Sequence, residues 1–459
     1  MTAAMLMLLL LPGSDVLAHA GPRAYVLLLP TRLYIVGGTL VVALSFAVVL
    51  WLPQRWFTRD DTPPQQLAVQ PPDWPALVML ALLAALVAAG YLGSRDPLAN
   101  PLPTTVWSLW WVGVTLLHAV CGNLWGSMNP LRALRGLAAL TPAAIRFRYP
   151  TQLGYWPAVL GYFCFAWFEL VFAAPQDPAL LAHAIVIYFA VSLCGMCVFG
   201  TRDWLRCADP FAVFFRLVAW LAPVTFSRSE QGKVRATLRW PCAQLLQVDA
   251  LPVSGIAFVL LVLSSVSFDG LSRSFWWLDR VGENPLEYPG RSALMFANSL
   301  GLSVSFLAFA IAYVATVRAS AWLSRATVKR TFPVFVLSII PIAFGYHFAH
   351  YLPAFLVDAQ YAMRALSDPF AQGWDLLGTA QLHVTASVLS HHTSVEIIWH
   401  LQTAAIVLAH VCAVVVAHLF ALRHNLDRGI LFMGQLPALA LMICYTLFGL
   451  WLLSTPISV

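Results

Sequence analysis

The sequence predicts an all-α protein, a polytopic transmembrane helix bundle of about ten spans behind an N-terminal signal peptide. Three observations carry this. Stretches of about 20 apolar residues recur along the whole chain, the length a helix needs to cross a bilayer. Only 10% of the 459 residues are charged and 60% are hydrophobic, whereas soluble proteins carry roughly 25% charged residues. The basic residues also collect in alternate loops rather than along the helices. Helices are the expected element because an unpaired backbone amide is too costly in lipid, and no strand-period alternation is evident.

The first 18 residues, MTAAMLMLLLLPGSDVLA, read as a signal peptide, with an apolar core, a Pro-Gly break, and Val16 and Ala18 at the −3 and −1 positions of a cleavage site. Residues 19–459 then form a single integral-membrane helical domain. Its spans are expected near 33–52, 75–93, 105–124, 155–174, 179–199, 251–267, 292–317, 331–353, 395–422 and 435–453. With the segment after the signal peptide outside, the loops on the cytoplasmic side hold 19 Lys and Arg and the outer segments seven. This positive-inside bias predicts a multi-pass inner-membrane protein with both mature termini outside. It also accounts for the net charge of +6, so no nucleic-acid partner is implied; the lipid bilayer is the partner the composition demands.

Between the spans, residues 54–75 read as a Pro- and Gln-rich extended linker. DPFAVFFRLVAWLAP (209–223) reads as an interfacial helix on the inner leaflet. The segment 354–394 is expected to form a re-entrant or capping element. WGSMNPLRALRG (125–136) reads as an interfacial helix entry with Arg132 and Arg135 as anion-facing anchors. The eight cysteines suggest no disulfide framework, and Cys194 and Cys197 read as packing residues. There is no nucleotide-binding P-loop, GxSxG, HExxH or CxxCH, so ATP-driven transport and serine hydrolysis have no support in the sequence.

The chemistry-bearing residues gather at one depth. PIAFGYHFAHY (341–351) places His347 and His350 about 60° apart on a helix, and VEIIWH places Glu396 and His400 about 40° apart. FAWFELV adds Glu169, and His183 lies near the start of the next span. All six are expected in the outer third of the bundle. Ionisable groups there are costly and usually face the interior and work. Imidazole with carboxylate suits a divalent metal ion. For each residue a structural role is the alternative, through a carbonyl hydrogen bond or simple solvation. His347 or His350 facing His400 could also be the axial pair of a haem. His410 and His418 lie deeper and read as packing residues. In SFDGLSRSFWWLDR (267–280), Asp269 and Arg273 emerge just beyond a helix, either as an Asp-Gly turn or as a pair closing over the site.

FAWFELV, SFDGLSRSFWW, PIAFGYHFAHYLPAFLVDAQ, SDPFAQGWDLLGT, AHVCAVVVAHLFALR and the terminal GLWLLS together resemble a family of bacterial polytopic membrane proteins commonly labelled fenitrothion hydrolase. The resemblance runs from about residue 19 to 454. It implies hydrolysis of a small apolar organophosphate triester, with dependence on a second protein subunit. A metal-bound water would supply the nucleophile for that reaction. On this expectation His347, His350, His400 and His183 hold one or two divalent ions. Glu396 or Glu169 serves as bridge or general base, and Asp269 with Arg273 gates access. The competing readings are copper handling, proton or electron transfer, and a scaffold subunit of an extracytoplasmic complex.

Overall fold

The computed structural model describes residues 31–51, 73–138, 147–228, 234–287, 290–325, 335–422 and 428–455. The expected signal peptide and most of the 54–75 linker lie outside the described residues. Twelve helices matter here: α1 (Thr31–Trp51), α2 (Trp74–Leu92), α3 (Pro101–Cys121), α4 (Pro130–Ala138), α5 (Trp156–Leu170), α6 (Pro178–Phe199), α7 (Pro210–Ala219), α8 (Val253–Ser272), α9 (Arg291–Leu323), α10 (Val336–Ser367), α11 (His392–Leu422) and α12 (Arg428–Ser454). Among the described residues nine of these are long and apolar enough to cross a membrane. The chain is a multi-pass helical membrane protein.

Each of the ten expected spans has a helix. The exception to full length is α5, whose 15 residues rise only about 22 Å, short of the ~30 Å hydrocarbon core. Its helix stops at Leu170, yet Val171 and Phe172 remain buried, so the end of α5 lies inside the bundle. Two loop expectations change. The helix of 209–223 is α7, and it does not lie on the surface: Phe211, Phe214 and Phe215 are buried, packed on Trp110, Trp111 and Tyr162. Aromatic rings of this size bury more area against protein than a flat leaflet contact allows. The 200–250 loop also contains an antiparallel hairpin, Val224–Arg228 with Val234–Leu238, too short for strand periodicity to reveal.

Burial sorts the helices. In α8, 78% of the most apolar stretch is inside the protein, against 17% for α1 and α2. Thus α8 and α10 are central and α1 and α2 are lipid-facing. On α9, Phe296, Leu300, Val304, Leu307 and Ile311 are exposed at helical spacing, a stripe that lipid chains solvate. The inner helix α8 can carry Ser264 and Ser267 because their hydroxyls return to the carbonyls of Leu261 and Leu263, which removes the cost of burying them.

The helix α10 contains Pro353. Proline has no N–H, so the carbonyl four residues earlier loses its helical donor. That carbonyl belongs to Ala349, and Gln402 of α11 fills the gap, its Nε2 donating at 2.6 Å. Close approach of the two helices is permitted by Gly345, where a Cβ would collide with Ala409. Beyond Ser367 the chain forms an exposed loop. The Ser367 hydroxyl donates to Asp375 Oδ1 at 2.6 Å, and the Leu377 amide donates to the Ser367 oxygen at 3.1 Å.

Candidate functional site

Central helices with few polar groups bring those groups into focus. Asp269, expected just beyond a helix, instead lies within α8, three residues before its end because the helix runs on to Ser272, and is 2% exposed. Its Oδ2 accepts from His350 Nε2 of α10 at 2.7 Å. Its Oδ1 lies 3.5 Å from Arg273 Nε, one helical turn further on. Tyr351, beside His350, sets its hydroxyl 3.0 Å from the same Asp269 Oδ2 and 2.8 Å from Glu169 Oε1, at the end of α5. One phenol thus bridges carboxylates from two helices. Arg291, at the start of α9, donates to the Glu169 carbonyl at 2.7 Å, fixing the end of α5.

A hydroxyl has one proton to give. When Tyr351 donates to one carboxylate, the contact to the other is completed by a proton on that carboxyl. The cluster therefore has more acceptor sites than the Tyr351 proton can fill, and a proton can be shared along Glu169, Tyr351, Asp269 and His350. One end of this line is enclosed. Glu169 and Tyr351 line a cavity of about 10 Å³ with Trp111, Tyr162, Ser265 and His347, room for roughly one water molecule. The other end reaches the surface of the bundle, where the His350 side chain is 26% exposed.

His347 is close to this cluster but faces another way. Its Nε2 points to the Trp111 carbonyl at 3.2 Å, and its ring packs edge-on against Trp111 and beside Tyr351. Residues 105–114 of α3 are wound as a π-helix, with i→i+5 backbone bonds. Such widened turns recur at functional sites, and here the Trp111 carbonyl accepts from both Thr115 Oγ1 and His347.

The remaining expected residues stand apart. Gln402 contacts Ala349, so α11 has the expected level relative to α10. His400, however, turns outward and pairs with the Tyr34 hydroxyl at 2.8 Å. His183 is exposed, with Nδ1 on the Ala179 carbonyl at 2.6 Å and its ring against Tyr91. Glu396 is half-buried in the first turns of α11. The ligand set His347, His350, His400 and His183 does not converge. Among the described residues no group of three or more His, Cys, Asp or Glu is arranged to hold a metal ion. Asp269 and Glu169 are joined through the Tyr351 hydroxyl, which stands between their carboxylates, while His350 bonds Asp269 on its other side. These residues do not fit a divalent ion as its ligands.

Tyr351 and Arg291 are the site residues that sequence reasoning missed. A tyrosine adjoining the histidine pair was a usable signal, because a buried phenol needs a partner. Of the deeper histidines, His410 contacts the Ile406 carbonyl and His418 contacts Gln435, the packing roles expected for them. No family model, curated protein or solved structure matches the chain. The functional reading therefore rests on the chemistry of the cluster.

Proposed function

We propose that this membrane protein works as a proton relay across the bilayer, with His350 as the exchange point and Glu169 handing the proton to the water-sized cavity for onward transfer through the bundle. The observation that carries this reading is the Tyr351 hydroxyl held between Glu169 and Asp269. A purely structural ion pair would need only Asp269 with Arg273. The tyrosine instead joins that pair to a second buried carboxylate beside a water-sized cavity. Asp269 orients His350 through Nε2, leaving Nδ1 to take or release a proton. The bias of basic residues would place this end of the bundle on the extracytoplasmic side.

Phosphotriester hydrolysis, the activity the resemblance implies, is the second reading. The specific feature favouring it is the His350–Asp269 dyad, an arrangement that makes imidazole a general base toward water. The enclosed cavity is too small for a triester, so such a substrate would meet His350 from the lipid side.

The deciding experiment reconstitutes the full chain in vesicles with an internal pH dye and imposes a pH gradient under a potassium clamp. Wild type is expected to pass protons faster than protein-free vesicles, and Tyr351→Phe to lower that flux at least tenfold while the protein remains folded. A wild-type flux equal to the empty-vesicle leak, or an unaffected Y351F, would overturn the relay. Release of nitrophenolate from an apolar nitrophenyl triester, lost in His350→Gln, would put the hydrolytic reading in its place.

A further inference from the structure

The two ends of the bundle differ in charge. Helix α5 starts beside α8, where the Tyr155 amide donates to Ser254 Oγ at 2.9 Å, and both helices run from there to the Glu169–Asp269 cluster. At their starting end, away from that cluster, lies a different cavity. It has a volume of about 200 Å³ and is lined by Asn123, Trp125, Asn129, Arg132, Arg206 and Arg216. The share of one water in the liquid is about 30 Å³, so this pocket has room for a polyatomic ion.

Two of its arginines, Arg132 and Arg216, are oriented by backbone carbonyls. Arg216 Nη2 donates to the Arg206 carbonyl at 2.6 Å. Arg132 Nη1 donates to the Gly126 carbonyl at 2.8 Å. These bonds orient guanidinium groups but supply no negative charge. Arg132 does reach a carboxylate, Asp73 at 3.0 Å, yet that partner is 78% exposed, and exposed pairs are weak. Among the described residues neither Arg206 nor Arg216 has a carboxylate within 4.0 Å. Burial also holds the Arg216 guanidinium below its ordinary pKa, a cost that a bound anion would offset. The cations come from three separate elements, α4, the π-helical segment Trp204–Ala208 before α7, and α7 itself, so the fold concentrates charge that the chain could have dispersed.

We propose that this pocket binds a phosphate group, presented either by the headgroup of an anionic phospholipid or as the free ion. The planar fork of arginine matches two phosphate oxygens at once. The pocket's place at an end of a membrane bundle is where basic clefts between helices take lipid headgroups. This site is independent of the proton relay at the other end.

The test is calorimetric titration of the detergent-purified full chain with three probes: short-chain phosphatidic acid, short-chain phosphatidylcholine and inorganic phosphate. Saturable binding of phosphatidic acid, absent for phosphatidylcholine and weakened at least tenfold in Arg206→Gln and Arg216→Gln, is expected if a lipid supplies the phosphate. Inorganic phosphate binding with the same dependence on both arginines would identify the free ion as the source. Arg206 is exposed, so R206Q tests the pocket even if R216Q fails to fold. No saturable binding of either anion overturns the proposal, as does binding that R206Q leaves unchanged or that phosphatidylcholine matches.

Discussion

His347 and His350 are one helical turn apart and do different work. His350 bonds a buried carboxylate, while His347 bonds a backbone carbonyl. Substituting them should therefore separate two quantities. His347→Leu leaves the Trp111 carbonyl with its Thr115 donor, so the loss should be about 1 kcal/mol of stability, the size of one hydrogen bond, with proton flux retained. His350→Gln should keep the stability within about the same margin and abolish the flux. Equal flux in the two variants would remove His350 from its assigned place. Asp269→Leu is a harsher change, because it strands Arg273, His350 and the Tyr351 hydroxyl; leaving such donors without their acceptor costs about 1–3 kcal/mol, measurable as a lowered thermal midpoint. At this scale the sequence was partly legible. Glu169 and His350 were identifiable as ionisable groups too costly to bury without purpose, whereas Asp269 and Arg273 read as lying just beyond a helix. Their convergence was not, because the rotation of each helix is set by packing. His400 shares the depth of His350 but faces Tyr34, and no periodicity in α11 distinguishes the two azimuths when lipid and protein interior are both apolar.

Among the elements, α10 shows how a helix-breaking residue becomes a connection between helices. Pro353 frees the Ala349 carbonyl and Gln402 claims it, which ties α10 to α11 one residue from His350. Gln402→Leu preserves volume but orphans that carbonyl, so we expect a loss of about 1–3 kcal/mol and a drop in proton flux as His350 loses its fixed position. A thermal midpoint equal to wild type would show that the carbonyl finds another donor. The loop after α10 has its own anchor. The Ser367 hydroxyl, and then the Ala380 amide, hold the exposed Asp375 carboxylate below its ordinary pKa. A depressed folded value means that the anchor is fully present above the ordinary aspartate pKa of about 3.9 and is lost as pH falls through the lower folded value. Hydrogen exchange at Leu377 and Ala380 should therefore be slow at neutral pH and accelerate under strong acid, and Asp375→Asn should show fast exchange at every pH.

For the whole molecule, the spans were legible because bilayer thickness imposes a length on every crossing helix, and a run of 20 apolar residues is hard to mistake. What escaped was anything set by burial inside protein rather than in lipid: the short α5 and the enclosure of α7. Both interiors select the same residues, so hydropathy cannot separate them. Orientation is the remaining whole-molecule property, and it follows from a different force. Arginine and lysine near span ends are retained on the cytoplasmic side during insertion. The 19 basic residues of one loop set against seven of the other predict the loop at 368–391 outside and the arginine pocket inside. A phosphatase reporter inserted after Gly378, which is active only outside, should be active, and the same reporter inserted after Gly136 should be silent. The reverse pattern would turn the bundle over. It would place the Glu169–Asp269 cluster on the cytoplasmic side, and proton entry at His350 would then draw on the cell interior rather than its surroundings.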